Sequence, residues 1–254
     1  VTTTILIVAI CVFAFSLFQL VKMLIPYYSG GKEYDKLKDK AITIETTKDS
    51  EDTSEARFKV DFDVLLQENP DTVAWIRFDE PSIISYPVVK SADNKEYLTK
   101  TFTESDNKLG AIFMDMRNTS DFSDKNTMIY GHNMKNGSMF NNIKSYTDQS
   151  FADEHPYVYI YLPDGTVSQY KVVVGHIISE SSVLYSTQIV DTASFVQEMV
   201  KTSSIKVDFD QSQVQSVITL STCTSAGSES GKRNVVHAIL QRKGIDPVKE
   251  KMEN

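Results

Sequence analysis

Two β-branched runs around a polar loop constrain this chain more than any other stretch. Residues 217–222 (VITLST) are rich in Ile, Val and Thr, which suit a pleated, half-buried surface. Residues 224–232 (TSAGSESGK) carry Ser, Gly and Glu, the composition of a connector. Residues 233–241 (RNVVHAILQ) open a second strand. Cys223 therefore falls where one strand runs out, and Arg233 where the next begins. Paired, the two strands bring a thiol and a guanidinium to one end of a sheet. A cationic neighbour favours a thiolate, the nucleophilic form, and supplies donors for an oxyanion.

The rest of the chain keeps to the same short period. Candidate strands lie at 73–78, 84–89, 111–114, 127–130, 157–162, 167–178, 217–222 and 234–241, with Asp164-Gly165 as a hairpin turn. Helices are expected at 62–68, with Leu65 and Leu66 facing the core, at 138–146, and at 192–202 with Asp191 or Thr192 as its N-cap. Eight strands with a few interposed helices predict a mostly β fold closed into a barrel, rather than a parallel sheet. The 254 residues suffice for one such domain, and 41% apolar with 24% charged residues is ordinary for a globular protein. A net charge of −8 leaves no basic footprint for nucleic acid.

The N-terminus has a different character. From Ile5 to Val21 the run ILIVAICVFAFSLFQLV is broken by Ser16 and Gln19 alone, and with Met23 to Ile25 it approaches the ~20 residues that span a bilayer. Lys22 can snorkel, and Tyr27 and Tyr28 can sit at headgroup level. No small-x-small cleavage site precedes Tyr34, so residues 4–25 read as an uncleaved transmembrane helix; the alternative is a buried core helix. Tyr34 to Lys40 is compatible with a short helix, while 43–55 (TIETTKDSEDTSE) has almost no apolar residue and reads as a linker. The expected division is an anchor at 1–28, a polar linker at 29–57, a catalytic domain at 58–245 and a tail at 246–254.

The chain has two cysteines. Cys11 lies in the apolar run and Cys223 outside it, so a disulfide between them is not expected. A lone thiol in such a domain is either reactive or buried and inert. A reactive thiol needs a base, and there are four histidines. His155 precedes Pro156 in a charged loop, and His176 lies inside a strand. His237 shares a face with Arg233 and Val235 but sits four residues along the strand, about 13 Å away. His132 follows a strand end and a glycine, as a residue on a barrel rim would. No Cys-x-x-Cys or His-Glu-x-x-His spacing points to zinc, the acidic run 49–55 reads as solvated, and no cofactor is expected.

Thr219-Leu220-Ser221-Thr222-Cys223, with Arg233 ten residues on, resembles the signature of the sortases, cysteine transpeptidases of the Gram-positive cell surface. Ile129-Tyr130-Gly131-His132-Asn133-Met134 supplies the histidine such a family requires. DTVAWI at 71–76, Tyr86-Pro87-Val88-Val89, NKEYL at 94–98, GAIFMDMRN at 110–118 and Ser138-Met139-Phe140 are similar to class B sortases, in the same order, over roughly residues 58–243. The resemblance implies an eight-stranded sortase-type β-barrel with peripheral helices. It implies that Cys223 attacks the carbonyl of a threonine in a sorting signal near the C-terminus of a secreted protein. His132 would protonate the leaving amine, and Arg233 would hold the oxyanion with a backbone N–H near Thr224. The resulting thioester would pass to an amine, from a peptidoglycan precursor or another acceptor, on the outer face of the membrane. Some class B members carry an acidic residue one or two positions after the cysteine; here Thr224 and Ser225 stand there, which implies a Cys-His-Arg site without a third carboxylate. Asn94, Leu98, Leu184, Tyr185, Ser221 and Thr224 are the expected substrate contacts. Rival readings are a pilin polymerase with a lysine acceptor, a hydrolytic cysteine protease, and an anchored binding module with an inert cysteine.

Overall fold

The computed structural model describes residues 2–48, 54–78 and 83–245, with backbone alone at 45–48 and 54–57. Helix α1 (Thr2–Ala41) runs unbroken through Pro26. Residues 3–25 are all exposed, so the apolar run fills no part of the protein's own core. Among the described residues it is the one helix long and apolar enough to cross a membrane. Beyond Pro26 the same helix docks on the domain, burying Tyr34, Leu37 and Ala41 in the main core.

This differs from the expected short helix and linker. Glycines and a proline weaken a helix by propensity, but tertiary packing overrides that here. A Cβ on Gly30 would lie 2.8 Å from Leu109 Cδ2 and 3.1 Å from Asn107 Nδ2, so the bare glycine lets the domain approach the helix. After α1, strand β1 (Ile42–Lys48) pairs antiparallel with β2 (Ser54–Val60), from Ile42 opposite Val60 to Lys48 opposite Ser54. Residues 49–53 of the acidic run, and the tail at 246–254, lie outside the described residues.

Helix α2 (Phe62–Glu68) starts on Asp61, whose carboxylate accepts from the Val64 N–H at 3.1 Å. Leu65 is buried, but Leu66 is 37% exposed, because neighbouring helical residues cannot share a narrow face. All eight expected strands are present, as β3 (Thr72–Phe78), β4 (Ser85–Val89), β5 (Ile112–Met114), β6 (Asn126–Tyr130), β7 (Tyr157–Tyr161), β8 (Val167–Ser179), β9 (Val217–Cys223) and β10 (Lys232–Lys243). They close in the order β10-β8-β7-β3-β4-β5-β6-β9. Most neighbours are antiparallel; β4–β5 and β6–β9 are parallel. Closure removes the sheet edges.

The helix expected at 138–146 is a 3-10 turn, Asn141–Thr147. It leads into α3 (Gln149–Glu154), capped by Asp148, which the sequence reading does not include. Helix α4 (Thr192–Lys201) takes Asp191 rather than Thr192 as its cap, accepting from Ser194 N–H at 2.8 Å. It covers a second apolar cluster with Val173, Val174 and Ile239.

Candidate active site

Three adjacent strands bring the expected chemistry to one rim. β6 and β9 are parallel, with Tyr130 opposite Ser221, and the Gly131 N–H donates to the Ser221 carbonyl at 3.2 Å. His132 and Cys223 each lie two residues further along, so both chains deliver them at the same edge. β10 runs back antiparallel with Arg233 directly opposite Cys223. All three line a cleft of about 420 Å3, together with Asn94, Leu98, Tyr130, Glu180, Tyr185 and Ser221. Gly131 permits this exit from β6: a Cβ there would sit 2.4 Å from Ile112 Cδ1 and 2.7 Å from Phe140 Cγ.

His132 hangs from one backbone group. Its Nε2 lies 2.7 Å from the Leu98 carbonyl oxygen. A carbonyl only accepts, so Nε2 carries a proton and Nδ1 is the nitrogen left for chemistry. Gly110, at φ +60°, lies against the ring; a Cβ there would be 2.5 Å from the Tyr97 carbonyl and 2.9 Å from His132 Cδ2.

Cys223 is partly exposed, and its sulfur forms no disulfide. Its carbonyl accepts from Asn133 Nδ2 at 2.9 Å and from Asn234 Nδ2 at 3.0 Å. Each asparagine directly follows one of the site residues, His132 or Arg233. This clamp fixes the peptide that carries the thiol. Sequence reasoning misses it, although the repeated placement of Asn after each is visible.

Arg233 is held by acceptors from three directions. Nη1 donates to the Lys232 carbonyl at 2.9 Å and the Ser228 carbonyl at 3.3 Å, and Nη2 pairs with the Glu180 carboxylate. The Cys223 loop indeed offers no acid at Thr224 or Ser225. A carboxylate enters instead just past the end of β8, as Glu180, and faces the guanidinium rather than the imidazole. The sequence reading does not single out Glu180.

The floor is aromatic and firmly tied. Tyr130 packs on Phe113 and Tyr185 with ring centroids 5.2 and 6.3 Å apart. Its hydroxyl donates to the buried Asp115 at 2.7 Å. Burial opposes the charge on Asp115, but Arg117 and Tyr130 hydrogen bonds outweigh it and bring its pKa down to about 2. The same carboxylate accepts from Asn94 Nδ2 at 2.9 Å, which fixes Asn94 at the cleft. Tyr185 OH and Ser221 Oγ are 2.9 Å apart, and burial raises the Tyr185 phenol pKa.

Asn94, Leu98, Tyr185 and Ser221 thus line the cleft as expected. Leu184 does not. It is 1% exposed and belongs to the second core cluster, because successive loop residues turn opposite ways and Tyr185 takes the cleft side. The Thr224 side chain also lies outside the lining residues, with its hydroxyl 3.3 Å from Ser230 Oγ. His155 is not in a solvated loop: it ends α3, is 6% exposed and stacks on Phe151 with centroids 4.7 Å apart. His176 and His237 are buried in the barrel.

The sortase domain family matches residues 80–241, more than half of the chain. Sortase B of Listeria monocytogenes is 34% identical over 188 residues, which cover 70% of this chain and 73% of that protein. The Staphylococcus aureus sortase B–substrate complex is similar at 30% identity and a TM-score of 0.65, covering 72% of this chain and 85% of that one. The Bacillus anthracis sortase B structure reaches a TM-score of 0.70 at 28% identity, covering 86% and 99%. Agreement of this extent, over a closed barrel whose rim holds a cysteine, a histidine and an arginine, leaves one assignment: the chain belongs to the sortase family as a class B sortase, a cysteine transpeptidase.

Proposed function

We propose that Cys223 is the nucleophile, His132 the general acid and base, and Arg233 the donor to substrate and oxyanion. The thiolate attacks the carbonyl of a threonine in a sorting signal near the C-terminus of a secreted protein. His132, through Nδ1, gives a proton to the leaving amine as the C–N bond breaks, and a thioester remains. An incoming amine then attacks, His132 takes its proton, and the C–S bond breaks to return the thiolate. Splitting one acyl transfer into two steps lowers each barrier. A backbone N–H near Thr224 is the second oxyanion donor, and Asn94, Leu98, Tyr185 and Ser221 contact the peptide.

The observation that carries this reading is the register: Arg233 stands opposite Cys223 while His132 leaves the neighbouring strand at the same edge. The S. aureus substrate complex supports a peptide in the equivalent cleft, and a similar sortase B has been solved with triglycine, which supports an amine acceptor. Residues 4–25 anchor the enzyme in the cell membrane with the domain on the extracellular face, within reach of peptidoglycan amines.

The test is incubation with a threonine-containing peptide library and triglycine, read by mass spectrometry. Triglycine joined to the threonine carbonyl is expected, with no product from Cys223→Ala. Water-only cleavage whatever the amine would instead indicate a protease. Preference for a lysine side chain over triglycine would favour the pilin polymerase.

A further inference from the structure

The helix that leads out of the apolar span grips one segment of the domain, residues 99–110, and that segment adjoins the support of His132. Glu33 accepts from Thr101 Oγ1 at 2.8 Å and from the Thr103 N–H at 3.0 Å. The Pro26 carbonyl accepts from Asn107 Nδ2 at 3.0 Å, and the Met23 carbonyl from Lys108 Nζ at 2.9 Å. Tyr34 OH donates to the Gly110 carbonyl at 2.8 Å from a fully packed position, 3% exposed. These residues fall at 23, 26, 30, 33, 34 and 37, counting Gly30 and Leu37, the spacing of one helical face.

Gly110 is the point of contact with the chemistry. It sits against the His132 ring on one side and against the Tyr97 and Leu98 carbonyls on the other. The next residue, Ala111, donates its N–H to the Tyr97 carbonyl at 3.0 Å. The Leu98 carbonyl in turn takes the Nε2 proton of His132. Between the phenol of Tyr34 and the imidazole there is one peptide unit. If Gly110 moves, both the surface under the ring and the acceptor that selects its tautomer move with it.

We infer that Tyr34, on the membrane-proximal half of α1, is a positioning residue for His132: through the Gly110 carbonyl it holds the Leu98–Gly110 segment where the imidazole keeps its Nε2–H tautomer. The inference rests on His132 acting as the general acid and base. It also makes the anchor helix part of the active-site scaffold, in addition to any role as a tether. A shift well under 1 Å at a proton-transfer group is enough to slow it.

The experiment uses the full chain in detergent micelles, with the peptide library and triglycine as probe. Tyr34→Phe removes the hydroxyl and keeps the ring, whose edge-on contact with Tyr86 has centroids 5.3 Å apart. Losing one hydrogen bond's worth of positioning is expected to lower kcat by about 3- to 10-fold with KM unchanged. The hydrogen-bonded Nε2–H signal of His132 should weaken in histidine nitrogen NMR. Asn107→Ala, which cuts the grip from the opposite side, should give the same pattern and serves if Tyr34→Phe does not fold. Lys36→Ala, an exposed position on the same helix, should match wild type. Lowered thermal stability with kcat and the Nε2–H signal intact in both variants would overturn the inference, reducing the contact to packing. Full activity in His132→Ala would instead overturn the underlying assignment of the base.

Discussion

His132 and His237 belong to neighbouring strands of one barrel, and their surroundings are opposites. His132 is tied by one nitrogen to the Leu98 carbonyl and faces the cleft. His237 is fully buried within a chain of side chains. Its Nδ1 lies 2.8 Å from Thr219 Oγ1, and its Nε2 lies 3.1 Å from His176 Nε2. His176 Nδ1 in turn meets Thr202 Oγ1 at 3.0 Å. The protons along this chain can be assigned. Thr219 donates to Asn126 Oδ1 at 2.6 Å, and Asn126 Nδ2 donates to the Ser186 carbonyl at 2.7 Å. Thr219 Oγ1 must therefore accept from His237 Nδ1–H. That leaves His237 Nε2 as acceptor for His176 Nε2–H, and His176 Nδ1 as acceptor for Thr202. Both rings are neutral, and all four of their nitrogens are committed. Proton transfer needs an uncommitted nitrogen, and only His132 of these three keeps one.

The largest expected effect separates the two rings directly. His132→Ala should lower the transfer rate by about 10²–10⁴, the usual worth of general acid–base help, with the melting temperature near wild type. A variant that transfers at more than a tenth of the wild-type rate would dissolve the distinction. Arg233 comes next. Its guanidinium opposes the thiol as a planar fork, whereas lysine is a flexible point charge. Arg233→Lys should cost about 10²–10³ in turnover, the range for a lost oxyanion donor. Thiol alkylation of Cys223 without peptide should slow far less. Near-wild-type transfer in the lysine variant would mean that charge alone suffices.

His237→Ala should show the reverse of His132→Ala. It opens a cavity and strands the hydroxyl of Thr219 and a nitrogen of His176, which together should cost about 2–4 kcal/mol. Urea unfolding measures this, and turnover per folded molecule at low temperature should stay within a few-fold of wild type. Loss of turnover without loss of stability would move His237 into the chemistry.

Much of this contrast is legible in the sequence, because strand periodicity is local. The eight strands and their turn residues place His176 and His237 inside strands and His132 beyond a strand end. What stays hidden depends on contacts between distant segments. The parallel pairing of β6 with β9 has no hairpin to announce it. The Leu98 carbonyl is a backbone group with no side-chain signature. Glu180 looks like any loop acid until β8 and β10 pair, with Arg233 opposite Ile178. Leu184 is misplaced because an apolar residue in a loop gives no alternation from which to read its side. The continuation of α1 through Pro26 and Gly30-Gly31 defies propensity, since packing against Leu109 and Asn107 stabilises it.

The last prediction sharpens the comparison through pH. Burial lowers the pKa of His176 to about 4, against the opposing contact with Thr202. Burial also lowers that of His237 well below its ordinary value, with the neighbouring His176 as a second cause. In the unfolded chain both titrate near 6.5. Below that pH the unfolded state takes up protons that the folded state refuses, so stability is full above about 6.5 and falls as the pH drops. For His176 alone the loss between pH 7 and 5 is on the order of 2 kcal/mol, and His237 adds in the same direction. The buried Asp115 contributes nothing in this window, because its stabilisation disappears only below ordinary carboxylate values, toward pH 2. Urea midpoints of the wild-type protein should therefore decline steadily from pH 6.5 to 4.5. A His176→Gln, His237→Gln double variant should start less stable at pH 7 and lie nearly flat over the same range. Lysine or arginine substitutions would not serve, because each would bury a fixed charge. A wild-type midpoint that holds constant down to pH 4.5 would show that the buried pair accepts a proton without strain, and the neutral tautomers assigned to the chain would be wrong.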